Sequence, residues 1–150
     1  MAPSTTRAST APPPESTVRS CASSGLVPAA RRWLAASARH LSEAREGHDP
    51  RVRYIDAHMA ALRAAAAMVE QRRAERGSGR ARPRSVWEQL PRLAPELTPW
   101  VGVFLASAER RAAIEVNLAA EVEAGEVTAL LRAAESFVAA VHRHVGDQVL

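Results

Sequence analysis

The chain contains no lysine. All 20 of its basic residues are arginines, set against 16 acids. Solvated positions accept either basic residue, so codon bias in GC-rich coding sequence explains the exclusion better than selection for function does. The arginine count therefore says little about phosphate recognition, although the guanidinium fork suits phosphate. Cysteine is almost absent as well. Cys21 is the single one, which excludes a disulfide framework and any cysteine-built metal site. Aromatic residues number six, three Trp, two Phe and one Tyr. That leaves a core of Leu, Val and Ala, thin per residue, and a homodimer is expected to supplement it. No apolar run approaches the roughly 18 residues of a membrane span. The N-terminus shows no apolar h-region of a secretory signal. The expectation is a cytoplasmic protein with no membrane contact. No period-2 strand pattern and no internal repeat occurs.

Alanine is plentiful, at 32 residues. It loses no side-chain entropy in a helix, so the composition favours an all-α fold. Residues 1–26 are rich in Ser, Thr, Ala and Pro, including Pro12-Pro13-Pro14. They offer almost nothing to bury, and a disordered tail is expected there. Residues 27–150 form the expected helical domain.

Helix one is expected from Pro28 to Gly47, with proline at its first position and glycine as its C-cap. Its apolar positions are Trp33, Leu34, Ala38 and Leu41. Helix two is expected from the Asp49-Pro50 start to about Arg76. Its stripe is Tyr54, Ala61, Leu62, Ala65, Met68 and Val69, and Ala64 to Ala67 admit a close neighbour. Gly77 to Arg84 reads as a loop. Helix three opens on the capping box Ser85-x-x-Glu88 and is cut short by Pro91. Helix four takes Thr98 as N-cap and runs to about Glu115. Helix five spans about Glu126 to Val145, with Val127, Leu130, Leu131, Ala134, Phe137, Val138 and Val141 on one face. The three tryptophans read as core anchors. The result is an antiparallel bundle of four to five helices.

Charge is unevenly distributed. Residues 27–85 hold 13 arginines against six acids, and residues 86–150 hold five against nine. A basic side and an acidic side follow. The densest basic stretch is Arg72, Arg73 and Arg76 followed by Arg80, Arg82 and Arg84. The last three, in the loop, are the candidate nucleic-acid contacts on charge alone. No aromatic residue interleaves them, so base stacking is not suggested.

The segments Arg53-Tyr54-Ile55-Asp56-Ala57-His58, Ser85-Val86-Trp87-Glu88-Gln89-Leu90, Ala94-Pro95-Glu96-Leu97-Thr98-Pro99-Trp100 and Leu130 to Phe137 together resemble a HEPN-domain family of high-GC bacteria, the SAV-type branch. The resemblance covers roughly residues 27–146. It implies a HEPN-like helical bundle and an RNA- or nucleotide-related role. Several relatives are metal-independent ribonucleases built on Arg-x4–6-His, with two subunits sharing one cleft. Here Arg53 or Arg51 would pair with His58. Histidine supplies an acid or base near neutral pH, and arginine a fixed charge on phosphate. Arg51 and His58 share a helix face, whereas Arg53 and His58 lie about 140° apart on the wheel.

His58 also falls on the apolar stripe of its helix, where a packed histidine with one hydrogen-bond partner is the competing reading. Two functions stand open. One is a non-catalytic module binding protein or nucleic acid, to which the resemblance adds an accessory role in DNA damage tolerance with a DNA polymerase as partner. The alternative is a ribonuclease or a toxin–antitoxin component. No cofactor and no metal are expected. His40, His48, His142 and His144 lack an i,i+4 partner, and no carboxylate cluster is expected to complete them. His142 and His144 suit the C-terminal end of a helix dipole.

Overall fold

The computed structural model describes residues 25–77, 85–117 and 119–146. Nearly all of the tail expected over residues 1–26 lies outside them, as do Arg80, Arg82 and Arg84. Five α-helices follow in order: α1 (Pro28–Glu46), α2 (Pro50–Arg76), α3 (Val86–Leu93), α4 (Thr98–Val116) and α5 (Ala124–Gly146). A single 3-10 turn, Pro95–Leu97, joins α3 to α4. No strand occurs among the described residues.

The helix ends follow local chemistry. Asp49 caps α2 by accepting from the Arg51 N–H at 2.9 Å, with Pro50 directly behind it. Gly77 closes α2 in the left-handed region at φ 67°, which glycine adopts without steric cost. Gly47 ends α1 for another reason. Its backbone is extended, but an added Cβ would sit 2.9 Å from the Glu43 carbonyl and 3.2 Å from Arg53 Cγ. Ser85 Oγ accepts from the Glu88 N–H at 3.2 Å, as the capping box requires.

Two ends differ from expectation. Pro91 does not stop α3, which continues to Leu93. The proline removes one hydrogen bond and crowds one carbonyl, a cost tolerated so near the end of a short helix. Thr98 is not a cap. Its φ/ψ of −53°/−37° is helical, and the preceding 3-10 turn leads straight into α4.

α2 is the centre of the molecule. It packs most extensively against α1 and then α5, with α3 and α4 closing the remaining sides. No residue from Arg53 to Arg73 is exposed. The reason is size. Ala57, Ala60, Ala61, Ala64, Ala65 and Ala67 are wholly buried, and their methyl groups let several helices approach one axis at once. α1 runs antiparallel to α2, as the pairings Val27–Gln71, Ser37–Ala60 and Arg53–Ala44 show. α4 also runs antiparallel to α2, tied by His58–Ser107 and Arg72–Glu96. α5 is antiparallel to α4, with Arg110 on Glu126 at 2.9 Å and Trp100 beside Phe137.

The heart of the core is more aromatic than the composition suggested. Trp87, Phe104 and Phe137 form a cluster with centroid separations of 5.2 to 5.8 Å. Of the three tryptophans, Trp87 is the buried anchor, whereas Trp33 and Trp100 are partly exposed. Ala38, placed on an apolar stripe by spacing, faces solvent, as does Val103 on α4.

The glycines give a test of opposite signs. Gly47→Ala is expected to destabilise by about 1–2 kcal/mol, because the methyl group meets a backbone carbonyl. Gly102 lies inside α4 with nothing within 4 Å of an added Cβ. Gly102→Ala is expected to stabilise by about 0.5–1 kcal/mol. Urea denaturation of the two variants beside the wild type reads both.

Candidate functional site

His58 sits where α2, α3 and α4 meet. It is 2% exposed. Its Nδ1 lies 2.7 Å from Ser107 Oγ, and Ser107 Oγ lies 3.1 Å from the Phe104 carbonyl. A serine hydroxyl has one proton. Donated to the Phe104 carbonyl, it leaves His58 Nδ1–H to donate to Ser107 Oγ, which fixes the neutral tautomer. The ring also lies 6.5 Å from Trp87. Burial pushes the His58 pKa down to about 4, and the Arg111 guanidinium pushes it the same way. At neutral pH this imidazole is uncharged and packed into the core.

The two candidate arginines do not join it. Arg53 Nε donates to the Ala44 carbonyl at 2.7 Å. This bond satisfies one of the orphan carbonyls at the end of α1. Arg51 is two residues from its helix cap, and its Nε lies 3.7 Å from Asp49. It lines a shallow depression with Asp49, Glu121 and Glu123. A phosphate placed there would face three carboxylates. The arginine nearest His58 in effect is Arg111, which donates to Met59 Sδ at 3.0 Å and approaches Glu115 at 3.6 Å.

The basic stretch ahead of the loop is likewise engaged. Arg72 donates to the Leu93 carbonyl and to Glu96, at 3.0 and 2.6 Å. That bond holds the Glu96 carboxyl below its usual range. Arg73 donates to Gln89 Oε1, and Arg76 to the Arg92 carbonyl at 3.5 Å. These three clamp α2 to α3 and the turn after it. His144 lies 3.7 Å from the same Glu96, joining α5 to the network.

Two arrangements were not visible along the chain. On α1, Arg32, Trp33, Ala35, Ala36 and Arg39 line an open groove. Arg63 of α2 sets its guanidinium carbon 5.1 Å from the Trp33 ring centroid. Between α1 and α2, His40, Glu43 and Asp56 come together, with His40 Nδ1 at 3.0 Å from Asp56 Oδ1. The i,i+3 spacing of His40 and Glu43 was a partial signal. Ser107 and Asp56 gave none, because each meets its histidine only through tertiary packing.

A profile of the SAV-type HEPN-like family matches residues 44–142. The chain belongs to that family. No curated protein and no solved structure matches it.

The buried histidine makes stability depend on pH. Its folded-state pKa of about 4 lies below the unbound value of 6.5. As pH falls, the unfolded chain takes up the proton first, so stability is complete above pH 6.5 and lost progressively towards pH 4. The loss is on the order of 3 kcal/mol. Urea midpoints measured across this range are expected to fall for the wild type. In His58→Gln that component of the slope should be missing.

Proposed function

We propose that this HEPN protein is a non-catalytic binding module that contacts single-stranded nucleic acid through the exposed face of α1. The observation that carries the first half is the state of His58. It is buried, hydrogen-bonded to Ser107 and uncharged at neutral pH. A general acid or base must reach the proton it moves and titrate near the working pH. His58 does neither in this arrangement. The arginines that would hold phosphate serve a helix end and an acidic depression instead.

The second half rests on the α1 groove. Arg32 and Arg39 are exposed, seven residues apart, and so on one face of the helix. Beside Arg32 lies the partly exposed indole of Trp33, with the Arg63 guanidinium over one face of its ring. Cations beside an accessible ring suit a strand that offers phosphates and bases together. The small side chains of Ala35 and Ala36 leave room for it. The contact is electrostatic in the main, and sequence-tolerant.

The test is anisotropy with a labelled single-stranded RNA, in chelator, at several salt concentrations. Binding is expected to weaken steeply with salt and to drop at least tenfold in Arg32→Glu/Arg39→Glu. The salt slope should fall by about two, one for each lost phosphate contact. The RNA should stay intact. Cleavage by the wild type that disappears in a folded His58→Ala would establish the ribonuclease reading instead. Affinity unchanged by the double variant would remove the α1 face from the account.

A further inference from the structure

We propose that His40, Glu43 and Asp56 form a divalent transition-metal site between α1 and α2, with Zn2+ the best-matched ion. The three residues offer ligand atoms within 4.8 Å of one another. In a tetrahedral zinc site, metal–ligand bonds of about 2.0–2.2 Å set neighbouring ligand atoms a little over 3 Å apart. His40 Nδ1 and Asp56 Oδ1, hydrogen-bonded at 3.0 Å, are within a few tenths of an ångström of this spacing, and the ion would displace the proton they share. Glu43 is exposed and can turn through its own rotamers to close the remainder.

The charge balance is what singles the cluster out. Two carboxylates face one imidazole. Asp56 is 8% exposed, and its side-chain hydrogen-bond partner is His40. The Glu43 carboxylate makes no hydrogen bond or ion pair with another described residue. Yet this half of the chain is crowded with arginine. Arg53, one turn before Asp56 on the same helix, turns away to the Ala44 carbonyl. Arg39, beside His40, is exposed and makes no ion pair among the described residues. On a surface so rich in guanidinium, a pair of carboxylates left to a single histidine is short of positive charge. A divalent cation supplies it. One nitrogen and two carboxylate oxygens suit Zn2+, and leave a position for water.

The ligands come from both helices of the α1–α2 hairpin, so the ion would act as a staple. His40 and Glu43 lie in the second half of α1, and Asp56 in the second turn of α2. The staple would reinforce the helix pair with the most extensive contact in the fold. This site is separate from the α1 groove and does not depend on the nucleic-acid reading.

The experiment is calorimetric titration of the full chain, stripped by chelator, with Zn2+, followed by thermal melting with and without the ion. One equivalent is expected to bind and to raise the melting temperature by several degrees. His40→Gln should abolish both effects. Glu43→Ala, at an exposed position where folding is not at risk, should weaken binding at least tenfold. Cys21→Ser should leave binding unchanged. No binding by the wild type would overturn the proposal. So would binding that survives both His40→Gln and Glu43→Ala, which would assign the ion to other histidines. Loss of binding in Cys21→Ser would overturn it too, by moving the site to the tail thiol.

Discussion

The fold depends on one helix that has no outward side along most of its length. From Arg53 to Arg73, α2 has no exposed residue, and a helix surrounded in this way must be narrow. Alanine makes it so. Each methyl group buries little area, but the short side chains let α1, α3, α4 and α5 pack close to a single axis, and dispersion grows with the number of atoms in contact. The larger side chains come from the partners. Trp87 from α3, Phe104 from α4 and Phe137 from α5 form an aromatic cluster at the centre. Bulk is placed on the surrounding helices and smallness on the central one.

This arrangement decides what the family motif can do. An Arg-x4–6-His pair works as chemistry only if the histidine reaches a cleft. Placed on a central helix, His58 is enclosed by Trp87 and Ser107 and loses its charge to burial. Arg53, near the start of the same helix, closes the exposed carbonyl end of α1. Arg53 and His58 are here parts of the scaffold. The proposed nucleic-acid contact lies instead on the outer helix α1, where two arginines are exposed and a tryptophan is partly so.

Much of the fold was legible in the chain. Proline at helix starts, glycine after helix ends, and the apolar spacing of Val127 to Val141 each placed an element within a few residues. Those signals are local, so sequence carries them in full. Pro91 and Thr98 were misread, because the tolerance of a proline near a helix end and the presence of a 3-10 turn depend on what packs around them. The site was less legible. The spacing put His58 on an apolar stripe and so named the burial, but the partner Ser107 lies 49 residues away in another helix. Asp56 reaches His40 for the same reason, across the α1–α2 hairpin. Arg80, Arg82 and Arg84 lie outside the described residues.

We propose that His58 serves the core and not a reaction. Nuclear magnetic resonance of the histidine ring nitrogens across pH tests it most directly. His58 is expected to remain neutral down to about pH 4, with its proton on Nδ1. A ring that titrates near the ordinary value of 6.5, and whose resonance moves on addition of RNA, would contradict it.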